Sequence, residues 1–256
     1  MQQLAKGFWT LRGDFRVAGV VNIGTQMSLV RRKNGRFLLL DSYHPDADDL
    51  HALLDVTEGG TAIDAVLNLH PFHTVHCEAI ARLCPNARHF GTRRHHKEVP
   101  EIAWDPQLIE DPASQNQFAD DLDFSIPSGL DFVSDDNKVH VSSILARHRR
   151  SGIVHVDDTF VVWDPPALVE PILPAPRLRF HPMLSKALKK EPGAADAFAR
   201  WAMNLASEWA DTRIVCAAHS AVYELEPESF EREVLSALQR VEGTLDAHRA
   251  DMNTPT

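Results

Sequence analysis

The chain has 256 residues, 44% of them hydrophobic and 24% charged, the proportions of a folded globular protein and not of a disordered one. Acidic residues outnumber basic ones by 36 to 26, which argues against a general nucleic-acid binder with its basic face. No apolar core of signal-peptide length follows Met1 and no stretch is long enough to span a bilayer, so a cytoplasmic protein away from the membrane is expected.

The first forty residues read as β-rich, with strand-like runs over 15–23 and 26–30. Asn34-Gly35 predicts a two-residue hairpin turn between Met27–Arg32 and Arg36–Leu40. Strands and helices then alternate. Asp46 is placed to cap a helix whose Leu50, Leu53 and Leu54 share one face, with Gly59-Gly60 after it. Ala62–Leu69 reads as a buried strand running into His70, and a helix is expected around Glu78–Leu83, stopped by Pro85. Another short strand is expected over Ala87–Phe90.

Residues 99–137 contain ten carboxylates and no Lys or Arg; a solvated, loop-rich segment is expected there. Strands are predicted next over Asp131–Val133, Lys138–Ile144, Gly152–Val156 and Thr159–Trp163, with Asp157-Asp158 as the last turn. A proline-rich connection follows. Phe198, Ala202, Leu205, Ala206 and Trp209 then form one apolar helical stripe, and Phe230, Val234, Leu238 and Val241 form another. Arg213–Ala217 is a short strand between them. No linker separates two cores, so one domain over 1–256 is expected.

Chemistry concentrates in His70-Pro71-Phe72-His73-Thr74-Val75-His76. The run lies where a buried strand meets a helix, a place where α/β proteins hold ligands. Histidine is also abundant over the whole chain, at 14 residues. Imidazoles so grouped suit zinc or iron. Arg149 and Arg150, and the run Arg93 to Lys97, carry donors for an anionic small molecule, although exposed structural roles are the default for both. His155 is expected to be a satisfied structural histidine. The three cysteines form no CxxC and read as reduced thiols, with Cys77 and Cys84 in packing roles. Neither GxSxG nor a glycine-rich phosphate loop occurs.

Taken in order, these segments resemble the metallo-β-lactamase-fold superfamily. His73-Thr74-Val75-His76 is similar to the second half of its HxHxDH motif. His148 and the strand after it resemble the element bearing the third metal histidine. Asp157 to Asp164 resembles the hairpin ending in the bridging aspartate, and Val215 to Ser220 the last strand with its terminal histidine. The resemblance implies an α/β fold, an αββα sandwich of two mixed sheets with outer helices. It also implies a metal site drawn from His70, His73, His76, His148, Asp164 and His219.

The departures limit what is implied. Val75 stands in place of the motif aspartate and Pro71 in place of its first histidine, with His70 displaced by one. Three outcomes follow: a single metal, a rearranged site using His70 and His76, or no metal. The function implied is that of a metal-dependent hydrolase-like protein with an altered, mononuclear zinc or iron site and a small-molecule substrate. The competing expectation is a catalytically silent member that binds a small molecule or a partner protein in the same cleft.

Overall fold

A computed structural model describes residues 1–13, 16–17, 21–22, 24–163, 177–218 and 221–253. These fall into two compact units, Met1–Phe124 with Leu145–His155, and Ser125–Ile144 with Val156–Thr256.

The first unit opens with β1 (Gln2–Ala5) and β2 (Phe8–Gly13), followed by the two-residue strands β3 (Arg16–Val17) and β4 (Val21–Asn22). β5 (Thr25–Arg31), β6 (Phe37–Leu40) and α1 (Ala47–Val56) come next. After them run β7 (Ile63–Leu67), α2 (Cys77–Leu83), β8 (Arg88–Phe90), α3 (Arg93–Glu98), α4 (Pro112–Asn116), β9 (Leu122–Ser125), β10 (Leu145–His148) and β11 (Ile153–Val156). A six-stranded sheet has the order β1-β2-β5-β6-β7-β8. It is mixed: β5 and β6 pair antiparallel, whereas β6, β7 and β8 run parallel.

A turn forms between β5 and β6 where the sequence predicts one, but over three residues, Lys33-Asn34-Gly35, rather than two: Arg32 N–H donates to the Arg36 carbonyl (2.8 Å) and Gly35 N–H to the Arg32 carbonyl (3.0 Å). Gly35 takes φ +90°, and the Asn34 side chain accepts the Arg36 N–H at 2.9 Å. Phe37-Leu38-Leu39-Leu40 is buried throughout, because a strand covered on both faces has no polar side to offer. One face of the sheet packs Leu11, Met27, Leu29 and Val66 against Leu53 of α1 and Ile80 of α2. Asp46 caps α1 through Asp49 N–H. The opposite face meets β10 and β11, which pair antiparallel, through contacts such as Phe8 against His148.

In the second unit, β12 (Phe160–Trp163) pairs antiparallel with β13 (Arg177–Phe180). α5 (Leu184–Ala187), α6 (Ala194–Glu208), β14 (Ile214–Ala217), β15 (Val222–Glu224) and α7 (Phe230–Asn253) follow. Phe180 meets Phe198 of α6 edge-on at 4.9 Å. The predicted α6 stripe, including Trp209, is buried; on α7, Phe230, Val234 and Leu238 are buried and Val241 is half-buried.

Two strand predictions are corrected. Residues 131–133 and 138–144 form no strand; the ladder begins only at Leu145. Val139, Val141 and Ile144 are buried all the same. The segment's backbone is held largely by side chains: Ser143 N–H donates to Thr159 Oγ1 (3.1 Å), that hydroxyl to the Val141 carbonyl (3.1 Å) and Lys138 N–H to Asp136 Oδ1 (2.9 Å), while Val139 N–H donates to the Asp136 carbonyl (2.8 Å). The acidic 99–137 segment is loop-rich as expected, yet not simply solvated. Asp121 is buried and accepts from Arg32 Nε and Lys33 N–H, and Asp105 and Asp123 pair with Arg88 and Arg147.

Candidate metal centre

The loop carrying His70, His73 and His76 leaves β7 after Leu67 and is anchored by two buried side chains. Asn68 accepts the Ser42 hydroxyl (2.7 Å) and donates to the Phe90 carbonyl (3.2 Å). Asp41 follows β6 in the left-handed region, at φ 60°, a conformation that Asp tolerates better than most residues. Its Oδ1 accepts the Leu69 N–H at 2.7 Å and the His70 N–H at 3.4 Å. Its Oδ2 lies 2.7 Å from His155 Nε2, and the Ser28 hydroxyl lies 2.9 Å from His155 Nδ1. Ser28, His155 and Asp41 thus form a buried chain that ties β5 and β11 to the loop. His155 is the satisfied structural histidine expected of it.

On the loop itself, His70 is fully buried. Its Nδ1 accepts the Phe72 N–H (3.1 Å), and its carbonyl accepts the His73 N–H (3.0 Å). The His70 ring stacks on His73 at 4.0 Å and 20°. His73 and His76 are half-buried, and Val75 is 72% exposed. His76 meets Tyr43 edge-on; burial lowers its pKa and nearby His44 adds to the effect.

Of the other residues singled out by sequence, His148 ends β10 rather than standing in a loop before a strand. It is packed against Phe8 (5.9 Å), with Nδ1 2.8 Å from the Ser151 hydroxyl. Burial, with Arg150 adding to it, lowers its pKa to about 4. Its Nε2 is buried and has no hydrogen-bond partner among the described residues. Asp164 and His219 lie outside the described residues. Arg149 is engaged by the Ala119 carbonyl (2.7 Å) and Arg150 by the Arg31 carbonyl, so both have structural contacts. Residues 93–97 are not a solvated turn but most of α3, with His95 buried at its start. His95 Nδ1 accepts the Thr92 N–H (3.1 Å), and burial lowers its pKa to about 4, opposed by Asp41 and the His73 carbonyl. Cys77 and Cys84 are free and buried, and burial raises both thiols to about 12; neither is a nucleophile at neutral pH.

In the second unit a pair passed over in the sequence comes together. His140 Nδ1 lies 3.0 Å from Asp158 Oδ2, with Asp158 almost fully buried and His140 partly exposed. Eighteen residues separate them. Nothing local marks the pair, since Asp158 reads as a turn residue and His140 stands in an apolar run.

No family model and no curated protein matches the chain. Solved structures do. A metallo-β-lactamase from Erythrobacter litoralis aligns at 16% identity and TM-score 0.58, over 93% of this chain and 95% of its own. One from Hirschia baltica aligns at 15% and 0.57, over 93% and 95%, and one from Pontibacter korlensis at 10% and 0.56, over 93% and 97%. The chain has the metallo-β-lactamase fold. Its αββα architecture is therefore the one the sequence resemblance implies.

Whether a metal fits is decided by the donors that this metallo-β-lactamase-fold chain presents. Pro71 and Val75 have no donor atom, so the loop lacks two of the ligands that the family motif implies, and a family-type dinuclear set does not fit. The loop keeps three imidazoles, on His70, His73 and His76. The second unit keeps an imidazole and a carboxylate, His140 and Asp158. Imidazole and carboxylate donors each suit zinc or iron. Among the described residues, no helix is long and apolar enough to cross a membrane.

Proposed function

We propose that this chain is a metal-dependent hydrolase-like protein with an altered, mononuclear zinc or iron site that acts on a small-molecule substrate. The observation that carries the reading is the His70–His76 loop, kept on a buried scaffold of Asp41 and Asn68 although two of its family ligands are gone. When bound, a divalent ion lowers the pKa of its water to about 7 and polarises the bond under attack. The chain's own residues have separate parts. Asp41 orients the loop through backbone N–H groups, His70, His73 and His76 offer imidazole nitrogen, and Asp158 fixes His140 through Nδ1. Three buried thiols suit a reducing cytoplasm.

Protein purified without chelator and then saturated with zinc should hold about one equivalent after dialysis. His73→Ala and His76→Ala should each lower that content and any zinc-dependent activity in a general hydrolase screen. Less than about a tenth of an equivalent, after adding either zinc or iron, would sink the reading. Pro71 and Val75 favour a second reading, a catalytically silent member that binds a small molecule or a partner protein in the same cleft. Ligand-dependent thermal stabilisation without metal uptake would support it instead.

A further inference from the structure

In the second unit, the loop over 131–139, the residues around α5 and the last turns of α7 enclose a cavity of about 760 Å³. That volume falls in the range of small-molecule sites, about 300–1,000 Å³. Hydrogen bonds tie its walls together. Asp131 N–H donates to the Ala187 carbonyl (2.9 Å) and Lys189 N–H to the Gly129 carbonyl (3.0 Å). His248 Nε2 of α7 lies 2.8 Å from the Lys189 carbonyl and donates its proton there. The remaining wall is a turn closed by its own bonds, from Asp136 N–H to Ser134 Oγ, Lys138 N–H to Asp136 Oδ1 and Val139 N–H to the Asp136 carbonyl. The cavity is therefore a built part of this unit.

Its lining offers three kinds of surface. Asp131, Asp135, Asp136 and Asp251 bring carboxylates, and Lys186 and Lys190 bring ammonium groups. Val139 and Leu188, both buried, and half-buried Met252 supply apolar surface. Opposite charges on one small cavity would ordinarily pair with each other. Among the described residues, none of the four carboxylates reaches either lysine, and no other ion pair takes up any of the six groups.

Both signs of charge thus remain available to a ligand. Like charges facing one space repel, and solvent screens them least where they are partly enclosed, as at half-buried Asp131. An entering ammonium relieves that repulsion, and a ligand carboxylate has the lysines to meet. Four negative groups against two positive ones favour a ligand with more positive than negative charge. The apolar surface suits a methylene chain between its charged ends.

We propose that this cavity is a binding site for a small amphoteric molecule of the basic amino-acid class. Its ammonium groups are held by the aspartates, its carboxylate by Lys186 or Lys190, and its methylene chain lies over Val139, Leu188 and Met252. The site uses neither the His70–His76 loop nor the His140–Asp158 pair, so the inference goes beyond the proposed function and does not rest on it.

Isothermal titration calorimetry of the full chain at neutral pH and low salt tests the site with three probes. These are L-lysine, cadaverine (lysine without its carboxylate) and ε-aminocaproate (lysine without its α-ammonium). L-Lysine should saturate a single site with a Kd of about 1 mM or tighter, and each truncated probe should bind at least about threefold more weakly. Asp131→Asn should weaken L-lysine by about fivefold. The double variant Lys186→Gln, Lys190→Gln should weaken L-lysine without weakening cadaverine. It alters exposed side chains only, so it reads the site even if Asp131→Asn does not fold. Absence of saturation by L-lysine at about 10 mM overturns the proposal. So does equal affinity for cadaverine, or L-lysine binding that is unchanged in either variant. No arm involves a metal, so failure of the hydrolase reading leaves this test intact.

Discussion

Replacing Asp41 by Ala is the most direct probe of what holds the loop. The carboxylate is 1% exposed and takes two short hydrogen bonds, from Leu69 N–H and His155 Nε2 at 2.7 Å each, and a longer one from His70 N–H. A buried donor left without its partner costs about 1–3 kcal/mol, so the two short bonds set a loss of about 2–6 kcal/mol. Alanine at φ 60° adds about 1 kcal/mol of left-handed strain, and removing a buried charge returns part of the sum. The net expectation for Asp41→Ala is about 3–5 kcal/mol, the cost of breaking one side of a buried pair.

Asp41→Asn should behave differently. Its amide oxygen still accepts from Leu69, and Asn also tolerates the left-handed region. Its NH2 can donate to His155 Nε2 if the imidazole proton moves to Nδ1 and is donated to the Ser28 hydroxyl. The loss should then be about 1–2 kcal/mol. Because the Asn variant needs Ser28 as an acceptor, Ser28→Ala should cost more in that background, with a coupling of at least about 0.5 kcal/mol. Urea unfolding followed by circular dichroism measures the four variants against wild type. If Asp41→Ala changes stability by less than about 1 kcal/mol, or if Asn is as harmful as Ala, the Ser28–His155–Asp41 chain does not hold the loop as argued.

Other positions give sharp expectations. At Gly129, φ is +76° and an added Cβ would lie 2.1 Å from the Ala194 carbonyl oxygen, so Gly129→Ala should destabilise by at least about 2 kcal/mol; a thermal midpoint equal to wild type would contradict the packing at the start of α6. His95, with its pKa lowered to about 4, is neutral when folded, whereas the unfolded chain takes up a proton near about 6.5. Its contribution is complete above that value and is lost as pH falls toward the folded pKa, about 1.4 kcal/mol per pH unit. Between pH 7 and 5, urea stability should therefore fall by about 2 kcal/mol more in wild type than in His95→Gln, and parallel curves would refute this. Arg249 joins Asp196, Glu242 and Asp246 while partly exposed, so Arg249→Ala should cost no more than about 1 kcal/mol and less in high salt; a larger, salt-independent loss would show that packing governs there. Val75→Asp restores a carboxylate at a 72% exposed position. It should leave stability within about 0.5 kcal/mol and raise zinc content above wild type; unchanged content by metal analysis would show that the second ligand set is missing elsewhere too.

What could be read from sequence was what neighbouring residues decide. The Asp46 cap, the strand Phe37–Leu40 and the place of the Asn34-Gly35 turn, though not its two-residue form, each follow from a few adjacent side chains. The 138–144 segment shows the limit. Its apolar residues report burial correctly, but burial does not reveal whether a backbone is satisfied by a strand or, as here, by Thr159 and Asp136. The site was legible where its residues cluster, at His70, His73 and His76. It was illegible where partners are distant in sequence: Asp41 with His155 across 114 residues, and His140 with Asp158. His148 matched by its place in a pattern; its ring lies beside Phe8, with Nε2 unpartnered among the described residues.

The loop's anchors explain how its chemistry can change while its shape is kept. Asp41 binds the N–H groups of residues 69 and 70, and His70 binds that of residue 72. The hydrogen bonds that shape the turn thus pass over residue 71 altogether. A proline there gives up no bond, because it lacks only the N–H that this turn leaves unused. At residue 75 the side chain stands in solvent, where exchanging a carboxylate for an apolar group has little effect on stability. The two positions that differ from the motif are therefore the two at which the backbone does not depend on the side chain. Scaffold and metal chemistry are separable in this loop, and retention of the fold does not by itself argue for retention of the full metal site.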